Sequence, residues 1–208
     1  PRVYLANGPR ARVRGGKIQA GSDTRLQLAR LTNSGLIEAG SDLEIDAEEN
    51  IENRGALRAG ERLGLEAIQD IDNISGRIEA VEVDIGSREG NIINRRNTED
   101  YAYSAHELSL ATTLLDEAAV IEAKNEVRLD AAKQILVEAS AVSGGQVNLK
   151  AATVDIKTTK KNESFFSGDK KNHVKDSATT HFASTVNGQD IVILSSGKTR
   201  DSGSALNA

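Results

Sequence analysis

A stretch of this chain repeats itself 20 residues further on, and that periodicity fixes most of what the chain can become. Residues 35–47 read Gly35-Leu-Ile-Glu-Ala-Gly-Ser-Asp-Leu-Glu-Ile-Asp-Ala, and residues 55–67 read Gly55-Ala-Leu-Arg-Ala-Gly-Glu-Arg-Leu-Gly-Leu-Glu-Ala. Gly35 recurs as Gly55, Ile37 as Leu57, Gly40 as Gly60, and Leu43 and Ile45 as Leu63 and Leu65. Ile51 and Asn53 recur as Ile71 and Asn73. A fixed period of this size is the signature of a solenoid, in which each unit buries its apolar side against the next.

Within a unit, Leu43-Glu44-Ile45 and Leu63-Gly64-Leu65 alternate apolar with other residues, which predicts short strands with one buried and one wet face. Glycines between these strands mark bends. A 20-residue unit with two or three such strands cannot close a core by itself. Stacked units can: each strand pairs with its copy about 4.8 Å away, and the Leu and Ile side chains form continuous columns. Each fully buried one contributes about 1.5–3 kcal/mol. The expected fold is all-β, a single-stranded parallel β-helix of about 20 residues per coil, with residues 1–208 forming one segment of it.

The outward positions favour the same stacking. One column reads Gln19, Glu38, Arg58, Glu79, and another Asp42, Arg62, Glu82, so charge changes sign from coil to coil. Asn33, Asn53, Asn73 and Asn94 also fall into register. They fit an amide ladder or a set of turns, since Asn tolerates left-handed backbone.

Composition agrees with a narrow lumen. Aromatics make up 3% of the 208 residues, with no Trp and no Met, and Gly (18) far outnumbers Pro (2). The net charge of −5 carries no nucleic-acid signature. The absence of Cys excludes disulfides and thiolate metal sites. No signal peptide opens the chain, and no run approaches the 18 or so apolar residues of a membrane helix. A chain beginning at Pro1 is expected to be a piece of a longer protein.

Residues 1–15 carry Arg2, Arg10, Arg12 and Arg14 and a short apolar run, Val3-Tyr4-Leu5. They read as the tail of a preceding coil or a frayed end rather than a basic binding patch. Coils occupy about 16–157, starting near Gly16, Gly35, Gly55 and Gly76. Residues 94–107 break the register and are expected to form a short loop, with Tyr101 and Tyr103 folded back over the side of the coil. The step from Val83 to Leu108 is 25 residues there. The pattern resumes at Ile121-Glu-Ala-Lys-Asn-Glu-Val127-Arg-Leu129-Asp-Ala131, which matches residues 37–47 nearly position for position, and Ile135 takes the place of Ile51. Segments 114–124 and 130–140 are rich in Ala and Glu and favour helix by propensity. The 20-residue register runs through them, so strand is the expectation. Residues 158–184 form a Lys-, Ser- and Thr-rich excursion holding all three Phe residues, read as a hairpin with arms Thr158–Phe166 and Val174–Phe182. The coil resumes over 185–208.

Units of the form Gly-x-Ile-x-Ala-Gly-x-x-Leu-x-Ile-x-Ala resemble the haemagglutinin repeats of bacterial filamentous haemagglutinins. The polar excursion followed by Val186-Asn-Gly-Gln-Asp-Ile-Val-Ile-Leu-Ser-Ser-Gly197 resembles the later repeat region of contact-dependent growth inhibition exoproteins. The resemblance covers about residues 16–208. It implies a right-handed β-helix and two-partner secretion through an outer-membrane transporter. It also implies a rod on the bacterial cell surface, serving as adhesin or in toxin delivery. The implied partners are that transporter and, on a target cell, a receptor, a glycan or the outer membrane. No residue is singled out as catalytic, cofactor-binding or metal-binding, and no cofactor is expected.

Parallel β-helices also carry polysaccharide lyases and hydrolases, whose sites need two or three carboxylates converging in a groove. Asp42, Asp46, Glu48 and Glu49 cluster on one coil and are the carboxylates to weigh. His173 and His181 would face each other across a hairpin and could form a metal pair, although solvated loop histidines fit as well. The lysines of 157–175 suit either a soluble loop or contact with an anionic lipid. A structural, non-catalytic role is the expected one.

Overall fold

The computed structural model describes residues 15–168 and 172–207. The expectations about Arg2, Arg10, Arg12, Arg14 and Val3-Tyr4-Leu5 lie outside the described residues. The chain winds as a parallel β-helix with three strand segments per coil. Coil two shows the pattern: Leu36–Ala39, Leu43–Ala47 and Ile51–Asn53. Coil three repeats it as Ala56–Ala59, Arg62–Ala67 and Ile71–Ile74. In the next two coils the first two segments merge into one bent strand, Arg77–Ser87 and Val120–Ala131; after them the second and third merge instead, in Gln146–Lys157 and Asp190–Ser202. The Ala- and Glu-rich stretches hold no helix; from Val120 to Ala131 and Gln134 to Glu138 they are strands, because their apolar residues serve the column and tertiary register overrides local propensity.

Every rung copies the one before. Ile18, Ile37, Leu57, Ile78, Ile121, Val142, Val186 and Leu206 stack as successive parallel partners. A second column runs Leu43, Leu63, Val83, Val127, Val147, Ile191. Between the terminal coils these side chains are almost wholly enclosed: Leu43, Leu57, Leu63, Ile78 and Val127 are 0% exposed. Ile18 and Leu206, in the first and last described coils, are exposed.

The asparagines form both structures considered above. Asn33 Nδ2 donates to Asn53 Oδ1, Asn53 to Asn73 and Asn73 to Asn94, each at 2.8 Å. Asn33 Oδ1 and Asn53 Oδ1 also accept the backbone N–H of Gly35 and Gly55, so these two Asn close their own turns as well. The ladder ends at Asn94, whose Nδ2 donates to Ala141 O and Ser140 Oγ. Val137 takes the next position in the stack.

Corner glycines stand where coils nearly touch. A Cβ on Gly60 would lie 2.0 Å from the Gly40 carbonyl oxygen, a backbone atom that cannot move alone. A Cβ on Gly64 would find nothing nearer than a side-chain carbon at 4.0 Å. Gly60→Ala should therefore lower stability by about 1–3 kcal/mol through overpacking. Gly64→Ala should be neutral or slightly stabilising. Thermal melts of the two variants check this, and equal melting temperatures would contradict the corner geometry.

Outer charges follow the predicted columns. Gln19 Nε2 donates to Glu38 at 2.9 Å, and Arg58 Nε to Glu79 at 2.8 Å. Arg62 faces Glu82 across the ladder, and its backbone N–H donates to Asp42 at 3.1 Å. Such exposed pairs contribute about 0–1 kcal/mol each, so they select register more than they add stability. Burial pushes the Glu79 carboxyl up, but Arg77 and Arg58 outweigh it and hold the pKa below the usual value.

At Asp72 the balance falls the other way, although Arg95 and Arg54 pull its pKa down. Burial and the neighbouring carboxylates of Asp70 and Glu52 raise its pKa, and its inner oxygen lacks a hydrogen-bond partner. A raised carboxyl opposes folding while ionised and stops doing so as pH falls through its folded pKa. Asp72→Asn should raise the melting temperature at pH 7, by a margin that shrinks as pH falls toward 4. A margin independent of pH would contradict this.

Candidate functional surface: a sheet projecting from the rod

Two hairpins leave the rod at one corner. The first runs out over Thr98–Ala105, turns at His106 (φ 48°) and Glu107, and returns over Leu108–Leu115. The second runs out over Thr159–Gly168 and back over His173–Phe182, close to the predicted arms. Arg95 pairs with Glu138 and Glu138 with Lys157, so the two departures lie on one edge of the rod, two coils apart. Each hairpin goes out from one coil and comes back into the next. Four strands thus arrive at coil spacing and pair as one antiparallel sheet, in the order Thr98–Ala105, Leu108–Leu115, Thr159–Gly168, His173–Phe182.

This corrects the expectation of a loop over 94–107. Asn94 is 0% exposed inside the rod and Arg95 ends a rod strand, while the excursion continues to Leu115. Leu108 is not the successor of Val83. Val83 pairs with Val127, 44 residues on, and the same 44 residues separate Val147 from its partner Ile191. Tyr101 and Tyr103 do not fold back over the coil. They lie on the outermost strand, 47% and 48% exposed. Two equal steps of 44 in the second apolar column were the sequence signal that could have revealed the first hairpin.

The register sorts the side chains onto two faces. One carries Leu108, Leu110, Phe165 and Val174 with Tyr101 and Tyr103. The other is rich in hydroxyls and carries Lys160, Lys175, His173 and His181. Phe166 and His173 stack there with ring centroids 5.5 Å apart. At the root, the Arg96 guanidinium lies 5.0 Å from the centre of the Phe182 ring, tying the start of one hairpin to the end of the other. Among the described residues no strand of the sheet packs extensively against a rod strand.

The candidate chemistry separates rather than converges. His173 and His181 share one strand, opposite Gly168 and Lys160, and do not face each other. No group of three or more His, Asp or Glu is placed to hold a metal ion among the described residues. On coil two, Asp46 pairs with Arg25 at 3.2 Å and Glu49 with Arg30 at 2.6 Å, while Asp42 accepts the Arg62 N–H. Glu48 lines an open depression of about 580 Å³ beside Arg25, Asp46, Glu66 and Arg88. Of the lysines over 157–175, Lys161 pairs with Glu163 at 2.7 Å, and Lys157, at the end of a rod strand, approaches Glu138 at 3.8 Å. No helix of the described chain is long and apolar enough to cross a membrane. Comparison with protein-family models, curated proteins and solved structures found no match to this chain.

The rod should not need the sheet. Deleting residues 160–182 is expected to leave the far-ultraviolet β signal of the coils in place, because the columns run past the excursion. The first hairpin would become a two-stranded ribbon, marginal alone, and the Ser109 and Ala111 amides would lose hydrogen-exchange protection. Collapse of the β signal would show that the sheet supports the rod.

Proposed function

We propose that this chain is a non-catalytic rod segment of a large bacterial surface exoprotein exported by two-partner secretion, an adhesin or a toxin-delivery protein. What supports the reading is the stacking of apolar columns from coil to coil, together with the resemblance of the repeats to those of filamentous haemagglutinins. Such a scaffold sets distance and presents an appendage. It concentrates neither acid–base groups nor ligands at one point. The role of the rod is then mechanical, and the projecting sheet is its contact element toward a target-cell receptor, glycan or outer membrane. The outer-membrane transporter is the partner in export.

A polysaccharide lyase or hydrolase has less to support it, because two of the four coil-two carboxylates pair with arginines of the first coil and a third accepts the Arg62 backbone N–H. Two measurements test the proposal. Placed behind the secretion domain of a two-partner system and co-expressed with its transporter, the chain is expected outside the cell; retention in the periplasm would count against it. Incubated with a panel of bacterial and host polysaccharides, it should release no new reducing ends or unsaturated sugars, and depolymerisation of any would favour the enzyme.

A further inference from the structure

The last strand of the projecting sheet, His173–Phe182, has one unpaired side. Which backbone groups it offers follows from the hydrogen bonds of its neighbour. In the strand Thr159–Gly168, the Asn162 N–H donates to Thr113 Oγ1 and the Gly168 N–H to Glu107 O, so even-numbered residues point toward the first hairpin. Odd-numbered residues, Thr159 to Ser167, therefore bond the last strand, where they oppose Phe182, Thr180, Ala178, Asp176 and Val174. His173, Lys175, Ser177, Thr179 and His181 must then turn their N–H and C=O groups to the open side. The Ser177 N–H agrees: it donates to the Asp176 carboxylate at 2.8 Å rather than to a neighbouring strand. Residues 173–181 are all exposed.

Edges of this kind are normally blunted by a proline, a bulge or repelling charge. This strand has no proline, and its register to its neighbour is unshifted from Thr159–Phe182 to Gly168–His173. Its formal charges, Lys175 and Asp176, cancel. The opposite edge, Thr98–Ala105, carries Glu99 and Asp100 and no cation, so two copies of it would set four carboxylates together.

We propose that His173–Phe182 is a self-association edge. Two copies of the chain pair antiparallel through residues 173–181 about a two-fold axis at Ser177, joining two four-stranded sheets into one of eight. This register brings all five open residues into hydrogen-bonded pairs, and it sets Lys175 opposite the partner's Thr179 and His173 opposite the partner's His181. An axis at Lys175 instead would oppose two lysines and pair fewer residues. The Asp176 carboxylate releases the Ser177 N–H as the strands meet. A ten-residue strand spans about 33 Å, with the rod at one end, so the two-fold places the two rods at opposite ends of the joined sheet.

Sedimentation equilibrium of the 208-residue chain tests this. The wild type is expected to dimerise with rising concentration. Thr179→Lys sets like charges against the partner's Lys175 and should weaken the dimer roughly tenfold or more. Adding Lys175→Glu should restore it. Ser177→Pro removes an N–H that its own sheet does not use and should also abolish association, with circular dichroism unchanged. If Ser177→Pro perturbs the sheet, the charge pair decides. A wild type that stays monomeric up to its solubility limit would overturn the proposal. So would a Thr179→Lys variant that associates like the wild type.

Discussion

Leu63→Asp should abolish cooperative folding of the early coils. Leu63 is 0% exposed and sits between Leu43 and Val83 in the second column. The substitution removes leucine packing, worth about 2–5 kcal/mol in a core. It also buries a carboxyl that no neighbour can bond, at a further cost of about 2–7 kcal/mol even when protonated. The sum rivals the whole stability of a typical domain, about 5–15 kcal/mol. In a solenoid each coil contacts only its neighbours, so the damage should centre on coils two to four. Far-ultraviolet circular dichroism and hydrogen exchange check this. Unchanged melting would mean that Leu63 does not point inward. Ile68→Asp, at a partly exposed position, is the matched control.

Asn73→Leu should be the next most damaging change, although it adds apolar volume to a buried site. Asn73 Oδ1 accepts from Asn53, and its Nδ2 donates to Asn94 Oδ1, Gly76 O and Val120 O. Leucine would strip partners from polar atoms above and below it, buried or part-buried, and each buried group so orphaned costs about 1–3 kcal/mol. A loss of about 3–5 kcal/mol is expected. Asn73→Asp, which keeps the acceptor but loses the donors, should fall between. Urea denaturation of the three proteins orders them. A leucine variant as stable as the wild type would show that the ladder is ornamental.

The two hairpins show how far sequence reading reached. The second was legible because its arms, Thr158–Phe166 and Val174–Phe182, are polar, free of the coil repeat and followed by a clear resumption at Val186. The first was misread as a loop because Leu108, Leu110 and Leu114 look like coil residues. An apolar strand on a projecting sheet and an apolar strand in a lumen share the same alternation, and only pairing tells them apart. The histidines failed for a simpler reason: His181 lies on the second predicted arm and His173 directly before it, so one strand carries both.

The sequence by itself determined the rod. A 20-residue period written in Gly, Leu, Ile and Asn leaves one way to bury its apolar residues, each on its own copy, and the outward charges agree with that register. Only the tertiary structure decided the appendage. Strands from residues 98–115 and 159–182 are neighbours because the rod delivers them at coil spacing to one corner, a distance set by winding and not written in either segment. Local patterns encode local periodicity. Which excursions meet depends on the summed geometry of every coil between them.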